Sequence, residues 1–271
     1  VPTNKQRREA AQRRLQRQLE RREAQARKRR RNLLVLVASL AVLVVVGAAV
    51  LISGVLGGDE DATEAAADPT SSPSAGASPV VDGSDGTCDF TPDASGNPDL
   101  TDVGTPPAEV ATSGTLQLTM TTNVGPIGLT LDQAGAPCAA ASFRHLTEQG
   151  FFDGTPCHRQ TNSETLQVLQ CGDPSGSGSG GSTYDFPTQV TGSETYPRGT
   201  VAMANAGDGL DGSQFFLVYG DSQLQPDYTV VGTIDEAGLA TLDTIAANGI
   251  AGGAPDGAPA QPVTIESMTL A

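Results

Sequence analysis

Residues 33–56 (LLVLVASLAVLVVVGAAVLISGVL) run for 24 positions without one charged side chain. About 20 apolar residues in a helix cross the hydrocarbon core of a bilayer, so the run is long enough to span one. It also exceeds the roughly 7–15 residues of a cleaved signal core. No cysteine for lipid attachment is near, the first being Cys88; Ala62, Ala65, Ala66 and Ala67 are the only feature that suits late cleavage. A chain with such a run does not fold as one globule, and 33–56 is expected to be a transmembrane helix.

The balance of 16 Lys+Arg against 31 Asp+Glu hides a segregation of charge. Residues 1–32 hold 13 of the 16 basic side chains, and the remaining 239 residues hold only Arg144, Arg159 and Arg198 against 28 carboxylates. The basic run Lys28 to Arg31 precedes the apolar segment, and Asp59, Glu60 and Asp61 come after it. Basic flanks stay inside. The expected topology is therefore a single pass through the cytoplasmic membrane, with 1–32 cytoplasmic and the rest extracytoplasmic. Residues 1–32 have too few apolar positions (Ala10, Ala11, Leu15, Leu19) for a core, and their composition suits a solvated helix. Such a segment fixes topology. It also suits contact with anionic lipid, at about 1 kcal/mol per basic residue near the surface. A cytoplasmic protein or nucleic acid is a further open partner for it, although no nucleic-acid partner is expected.

Residues 57–113 contain no Lys or Arg and are rich in Ala, Asp, Pro, Ser, Thr and Gly. That composition reads as a flexible, disordered acidic linker, with Cys88-Asp89-Phe90 marking a point of contact with the domain after it. Residues 114–271 read as folded, and 158 residues suffice for one core. Leu116, Leu118 and Met120 alternate with Thr115, Gln117 and Thr119, a strand with one buried face. A turn at Asn123–Pro126 leads to a strand with Ile127, Leu129 and Leu131. A helix opens at Pro137, shows Ala139, Phe143 and Leu146 on one face and stops at Gly150. Short strands are expected around 157–160, 166–171, 200–204, 214–219, 228–234 and 263–270. A second helix over 236–248 presents Leu239, Leu242 and Ile245 before Gly249. Many short strands with two helices indicate a mainly β barrel or sandwich.

Four stretches carry chemistry: Phe151-Phe-Asp-Gly-Thr-Pro-Cys-His-Arg159, Gln170-Cys-Gly-Asp-Pro with a Gly/Ser run to Gly181, Met203-Ala-Asn-Ala-Gly207 with Gly212-Ser-Gln-Phe-Phe216, and Tyr228-Thr-Val-Val-Gly-Thr-Ile234. In this order and spacing the region from Leu116 to Leu270 resembles the cyclophilin family of peptidyl-prolyl cis-trans isomerases. The resemblance implies a closed eight-stranded antiparallel β-barrel capped by two α-helices. It implies a proline-containing segment bound on the outer wall and no cofactor. Arg159 matches the family's catalytic arginine. Gln170 and Asn205 match positions that hold the substrate backbone by hydrogen bonds, with Ala204 and Gln214 also expected to bind substrate. Phe216 matches the floor of the proline pocket, with Val168, Leu224 and Tyr228 around it. Gln214 and Phe216, two apart on one strand, share a face; Phe215 then belongs to the core. The chain departs from the family in a longer loop between Arg159 and Gln170, in Gln223 where many members carry Trp, and in Tyr228 where many carry His.

Other readings fit less well. Gly176-x-Gly178-x-x-Gly181 has the spacing of a dinucleotide fingerprint, which needs a helix directly after it; Ser182-Thr-Tyr-Asp-Phe-Pro187 cannot open one. The two histidines, His145 and His158, lack metal-ligand spacing with the four cysteines, so no metal is expected. Nor is there a nucleophile-elbow motif. Cys88, Cys138, Cys157 and Cys171 lie outside the membrane on this topology, where disulfides form. Three pairings and four free thiols remain open. Cys157 with Cys171, on neighbouring strands, and Cys88 with Cys138, clipping the linker to the domain, make one consistent set. The expected function is an isomerase that assists folding of exported proteins. The alternative is a tethered binding module for proline-containing segments with little catalytic role.

Overall fold

Alternation of apolar and polar residues builds the first two strands of the sheet that organises the folded region. A computed structural model describes residues 83–207 and 209–271. The basic segment, the apolar run 33–56 and linker residues 57–82 lie outside the described residues. Among the described residues no helix is long and apolar enough to cross a membrane.

Strand β1 (Thr115–Thr122) buries Leu116, Leu118 and Met120, and β2 (Pro126–Asp132) buries Ile127, Leu129 and Leu131 opposite it. Helix α1 (Pro137–Glu148) starts on a proline whose missing N–H has no partner to lose there, and it buries Ala139, Phe143 and Leu146. Then come β3 (Arg159–Ser163), β4 (Leu166–Cys171), β5 (Tyr184–Pro187), β6 (Thr200–Asn205), β7 (Leu210–Gly220) and β8 (Val230–Ile234). Helix α2 (Glu236–Asn248) is capped by Asp235, whose carboxylate accepts from the Gly238 N–H at 2.7 Å. It buries Leu242 and Ile245 and leaves Leu239 half-buried. β9 (Thr264–Leu270) completes the set. Three strands differ from expectation by two or more residues, β8 starting at Val230 and not at 228, and β5 was not expected. β7 begins early because Leu210 and Asp211 pair with β5, and β3 runs on through Asn162 and Ser163, whose polar side chains gave no alternation to read.

Eight strands of five or more residues form one antiparallel sheet in the order β3-β4-β7-β6-β8-β2-β1-β9. Two-residue ladders extend its ends, Asp256–Gly257 beside β3 and Thr155–Pro156 beside β9. These ends do not pair with each other, so the expected closed barrel is a curled open sheet. Proline supplies no N–H to a ladder, and Pro156 lies in one end ladder while Pro255 flanks the other. Inside the curl Phe143, Phe152 and Phe215 pack with centroids 5.1–5.8 Å apart. On the outer face Val168, Tyr196, Ala202, Phe216 and Val218 make a second, smaller cluster.

Residues 83–113, expected to be linker, are laid onto this domain instead. Thr91–Pro92 pairs with β5, and Leu100–Thr101 pairs in parallel with Gly181–Ser182. Phe90 places its ring 5.7 Å from Tyr184 and 5.6 Å from Phe186. A disulfide joins Cys88 to Cys138 on α1, and another joins Cys157 to Cys171. Composition hid this strap because it is held by one covalent bond, one aromatic side chain and backbone pairing, not by a run of apolar residues.

The Cys88–Cys138 bond closes a sequence separation of 50 residues. On the chain-entropy account its loss costs about 4 kcal/mol. A Cys88→Ser/Cys138→Ser variant is therefore expected to unfold at lower denaturant, with residues 83–113 the first site of limited proteolysis. An unchanged midpoint and an unchanged cleavage order would count against the strap's role.

Candidate active site

Strand register composes the site. Arg159 on β3 pairs with Gln170 on β4, Gln170 with Phe216 on β7, and Phe216 with Ala202 on β6. Side chains directly across an antiparallel sheet share a face, so these four residues form one row on the outer wall. The next row holds Thr161, Val168 and Val218. Phe215 points the other way, into the main core.

A hydrogen-bond relay starts on this row and leaves it at Gln214. Arg159 donates from Nη1 to Gln170 Oε1 at 3.1 Å, and Gln170 Nε2 donates to Gln214 Oε1 at 2.9 Å. Gln214 Nε2 then donates to the carbonyls of Gly180 at 2.8 Å and Gly178 at 3.3 Å. Each amide thus has one fixed orientation, oxygen toward the arginine and nitrogen toward the glycine-rich loop. Arg159 also donates from Nε and Nη2 to the two oxygens of Asp256 at 2.8 and 2.7 Å. That bidentate pair raises the guanidinium's pKa above its ordinary value and lowers that of Asp256, so Arg159 remains a cation throughout the physiological range.

The glycine-rich loop is wound around a carboxylate. Asp173 is fully buried. Its Oδ1 accepts from the N–H and hydroxyl of Ser175 at 2.8 and 2.7 Å, and its Oδ2 accepts from the N–H groups of Gly178 and Gly180 at 2.6 and 3.1 Å. A Cβ on residue 180 would stand 2.3 Å from Asp173 Oδ1 and 2.5 Å from the Asp99 carbonyl, so only glycine fits. The amides that a dinucleotide loop would offer a phosphate are thus turned onto the chain's own anion. Burial opposes ionisation of Asp173, but the bonds from Ser175, Gly180 and Gly178 together hold its carboxyl below the usual range.

Beside the relay lies the apolar hollow. Phe216 and Val168 are buried, with Ala204, Leu224 and Tyr228 half-buried against their cluster. The Tyr228 ring meets Phe216 edge-on at 5.6 Å. Tyr196 holds this wall from behind, its hydroxyl donating to the Tyr228 carbonyl at 3.0 Å and accepting from the Tyr228 N–H at 3.1 Å. Asn205 uses its side chain on the chain itself, donating to the Asp227 carbonyl at 2.9 Å and accepting from Gly207 N–H at 3.0 Å. A register shift between Met203 and Asn205 takes Ala204 out of the ladder, so this edge offers backbone to the groove. A cavity of about 360 Å³ adjoins it, lined by Gln170, Ala204, Asn205 and Gln214 and by Asp93 and Leu100 of the strap. Gln223 is exposed at the rim.

The structure therefore brings Arg159, Gln170 and Gln214 together by hydrogen bonds, and Val168, Ala204, Phe216, Leu224 and Tyr228 by packing. It also places three residues there that the sequence did not single out. Asp173 had a legible signal, since aspartate before a glycine-rich run accepts from N–H groups a few residues on. Tyr196 and Asp256 had none: Asp256-Gly257 reads as an ordinary turn, 97 residues from the arginine it binds.

A fixed cation and two oriented amides beside an aromatic hollow, on the outer wall of a curled antiparallel sheet with two helices, make an arrangement of the cyclophilin type. The family model described as cyclophilin type peptidyl-prolyl cis-trans isomerase matches residues 117–270, and the chain belongs to that family. It is 53% identical over 180 residues to the probable peptidyl-prolyl cis-trans isomerase B of Mycobacterium leprae, covering 62% of this chain and 59% of that protein. The Mycobacterium tuberculosis H37Rv protein of the same name is 51% identical over 180 residues, with 62% and 56% covered. The chain thus spans less than two thirds of the length of either mycobacterial relative. A crystal structure of a Cryptosporidium parvum cyclophilin type isomerase superimposes with a TM-score of 0.51 at 25% identity, covering 58% of this chain and 98% of that one. Another, at TM-score 0.50 and 26% identity, was obtained in the presence of the dipeptide Ala-Pro.

The Asp173 cage yields a pH prediction. Its folded pKa lies below the ordinary aspartate value, so the ionised group contributes stability that is present above the unfolded pKa and lost as pH falls through the folded one. Asp173→Asn is expected to lose about 1–3 kcal/mol at neutral pH and to lose less than wild type on further acidification. Denaturant midpoints at neutral pH and at about pH 3 check this, and equal acid sensitivity would refute it.

Proposed function

We propose that this chain is a peptidyl-prolyl cis-trans isomerase, anchored by residues 33–56 in the cytoplasmic membrane, that speeds X-Pro isomerisation in exported proteins outside it. The observation that carries the catalytic reading is the Arg159 guanidinium, fixed in the same row as Phe216 and beside the hollow that Phe216 floors. Partial double-bond character gives a peptide bond a rotation barrier of roughly 18–20 kcal/mol, and X-Pro isomers exchange over tens to hundreds of seconds. Twisting the bond breaks the resonance and returns electron density to the proline nitrogen. A cation held near that nitrogen favours the twisted form over the planar one, and that difference is the catalysis. The proline ring takes the hollow of Val168, Phe216, Leu224 and Tyr228. Gln170, Gln214 and the backbone at Ala204 and Asn205 hold the flanking amides.

No nucleophile, acid, base or cofactor is needed for this step. Family membership supports the activity, as does the Ala-Pro dipeptide with the Cryptosporidium protein. Two disulfides and the lopsided distribution of basic residues support the extracytoplasmic location.

Arg159→Ala is expected to lower catalysed isomerisation of a short Xaa-Pro peptide on the order of 10²-fold, with far-UV dichroism and unfolding midpoint unchanged. A wild-type rate equal to the uncatalysed one would make the domain a binder of proline-containing segments, as the exposed Gln223 and the Tyr228 rim would then suggest. For location, protease added to spheroplasts is expected to reach the isomerase domain while residues 1–32 stay protected, and the chain is expected to resist alkaline carbonate extraction. Release by carbonate, or protection of the domain, would refute the anchor.

A further inference from the structure

We infer that Asp256 is a positioning residue for catalysis, holding the Arg159 guanidinium in the orientation that leaves N–H groups for the groove; this rests on the isomerase reading above. A guanidinium has five N–H donors in one rigid plane. Asp256 takes two of them, on Nε and Nη2, at 2.8 and 2.7 Å, and Gln170 takes a third, on Nη1, at 3.1 Å. The plane is therefore gripped at two edges by different strands. One N–H on Nη1 and one on Nη2 remain for a substrate.

The placement of Asp256 is built, not incidental. Its residue pair forms a ladder with β3 itself, Asp256 opposite Thr161 and Gly257 opposite Gln160. Asn162 N–H donates to the Pro255 carbonyl at 2.8 Å, which pins the segment beside the strand that carries Arg159. Behind it the loop is tied to the end of α2, where Ala260 N–H donates to Gly249 and Ala251 N–H to Ala258, each at 2.9 Å.

Stability does not account for the pair. The side chains are 38% and 52% exposed, and an exposed ion pair adds little to folding. What a bidentate contact adds at such a site is geometry, because it removes rotamer freedom from a long side chain before substrate arrives. The carboxylate also opposes the cation electrostatically. Its side chain is 52% exposed, however, so its charge is screened by solvent.

The test uses the full chain, with Asp256→Ala and Asp256→Asn beside wild type. Isomerisation of an Xaa-Pro peptide is followed to separate kcat from KM, and the Arg159 Nε–H signal is followed by NMR. Asp256→Ala is expected to lower kcat about tenfold with KM within about twofold, to broaden the Nε–H signal through exchange and to leave the unfolding midpoint unchanged. Asp256→Asn keeps one acceptor oxygen without the charge and is expected to recover to within about threefold of wild type. A rate for Asp256→Ala equal to or above wild type, or a sharp Nε–H signal in that variant, would overturn the inference. If Asp256→Ala does not fold, Asp256→Ser is measured in its place: a lowered kcat with a broadened Nε–H signal supports positioning, and both unchanged refutes it. If wild type itself shows no catalysis, the isomerase reading fails separately, and the Nε–H comparison still decides whether Asp256 orients Arg159.

Discussion

Antiparallel pairing of β3, β4, β7 and β6 sets Arg159, Gln170, Phe216 and Ala202 in one line across the outer wall. Everything at the site depends on that register. A slip of one residue on β4 would turn Gln170 and Val168 into the core and bring Leu169 and Cys171 to the groove. The hydrophobic pattern forbids the slip, since Leu169, Cys171, Phe215 and Leu217 are all buried inside the curl. The Cys157–Cys171 disulfide, two residues before Arg159 and one after Gln170, ties the same two strands at the end of the row. Core packing and covalent linkage thus serve an outward-facing polar relay that would not hold itself in place.

The relay ends on a loop whose shape comes from an internal anion. Asp173 gathers the N–H groups of Ser175, Gly178 and Gly180, and the Gly178 and Gly180 carbonyls are left facing Gln214. At the other end, Asp256 faces Arg159. The relay therefore runs from the Asp256 carboxylate through a cation and two amides to the loop that Asp173 holds. Polar chains of this kind are costly when partly satisfied and rigid when fully satisfied, and each of these groups has a partner.

Much of the fold was legible in local pattern. Alternation at Leu116, Leu118 and Met120 and at Ile127, Leu129 and Leu131 gave two strands, and Pro137 marked the start of the first helix. The strap was not legible. Its burial rests on Phe90 meeting Tyr184 and Phe186, and on Cys88 meeting Cys138, contacts between residues 50 or more positions apart. Barrel closure was also misjudged: the two end ladders are two residues each, with Pro156 in one and Pro255 beside the other, which a family-level expectation does not register.

By itself the sequence determined the segregated charge, the apolar run, the strand and helix periods and the motifs that carry Arg159, Gln170, Gln214 and Phe216. Each of these is local, set by side-chain chemistry and spacing within one segment. Only the tertiary structure decided that Asp256 grips Arg159, that Tyr196 braces Tyr228, that Asp173 fills the glycine-rich loop, and that Asp93, Asn97 and Leu100 of the strap line the cavity beside the site. The first two and the last join segments far apart in the chain, brought together by sheet register and loop closure. The Asp173 cage lies within one loop, but its final geometry depends on Gly180 packing beneath Asp99 of the strap. No periodicity in one segment encodes a partner in another.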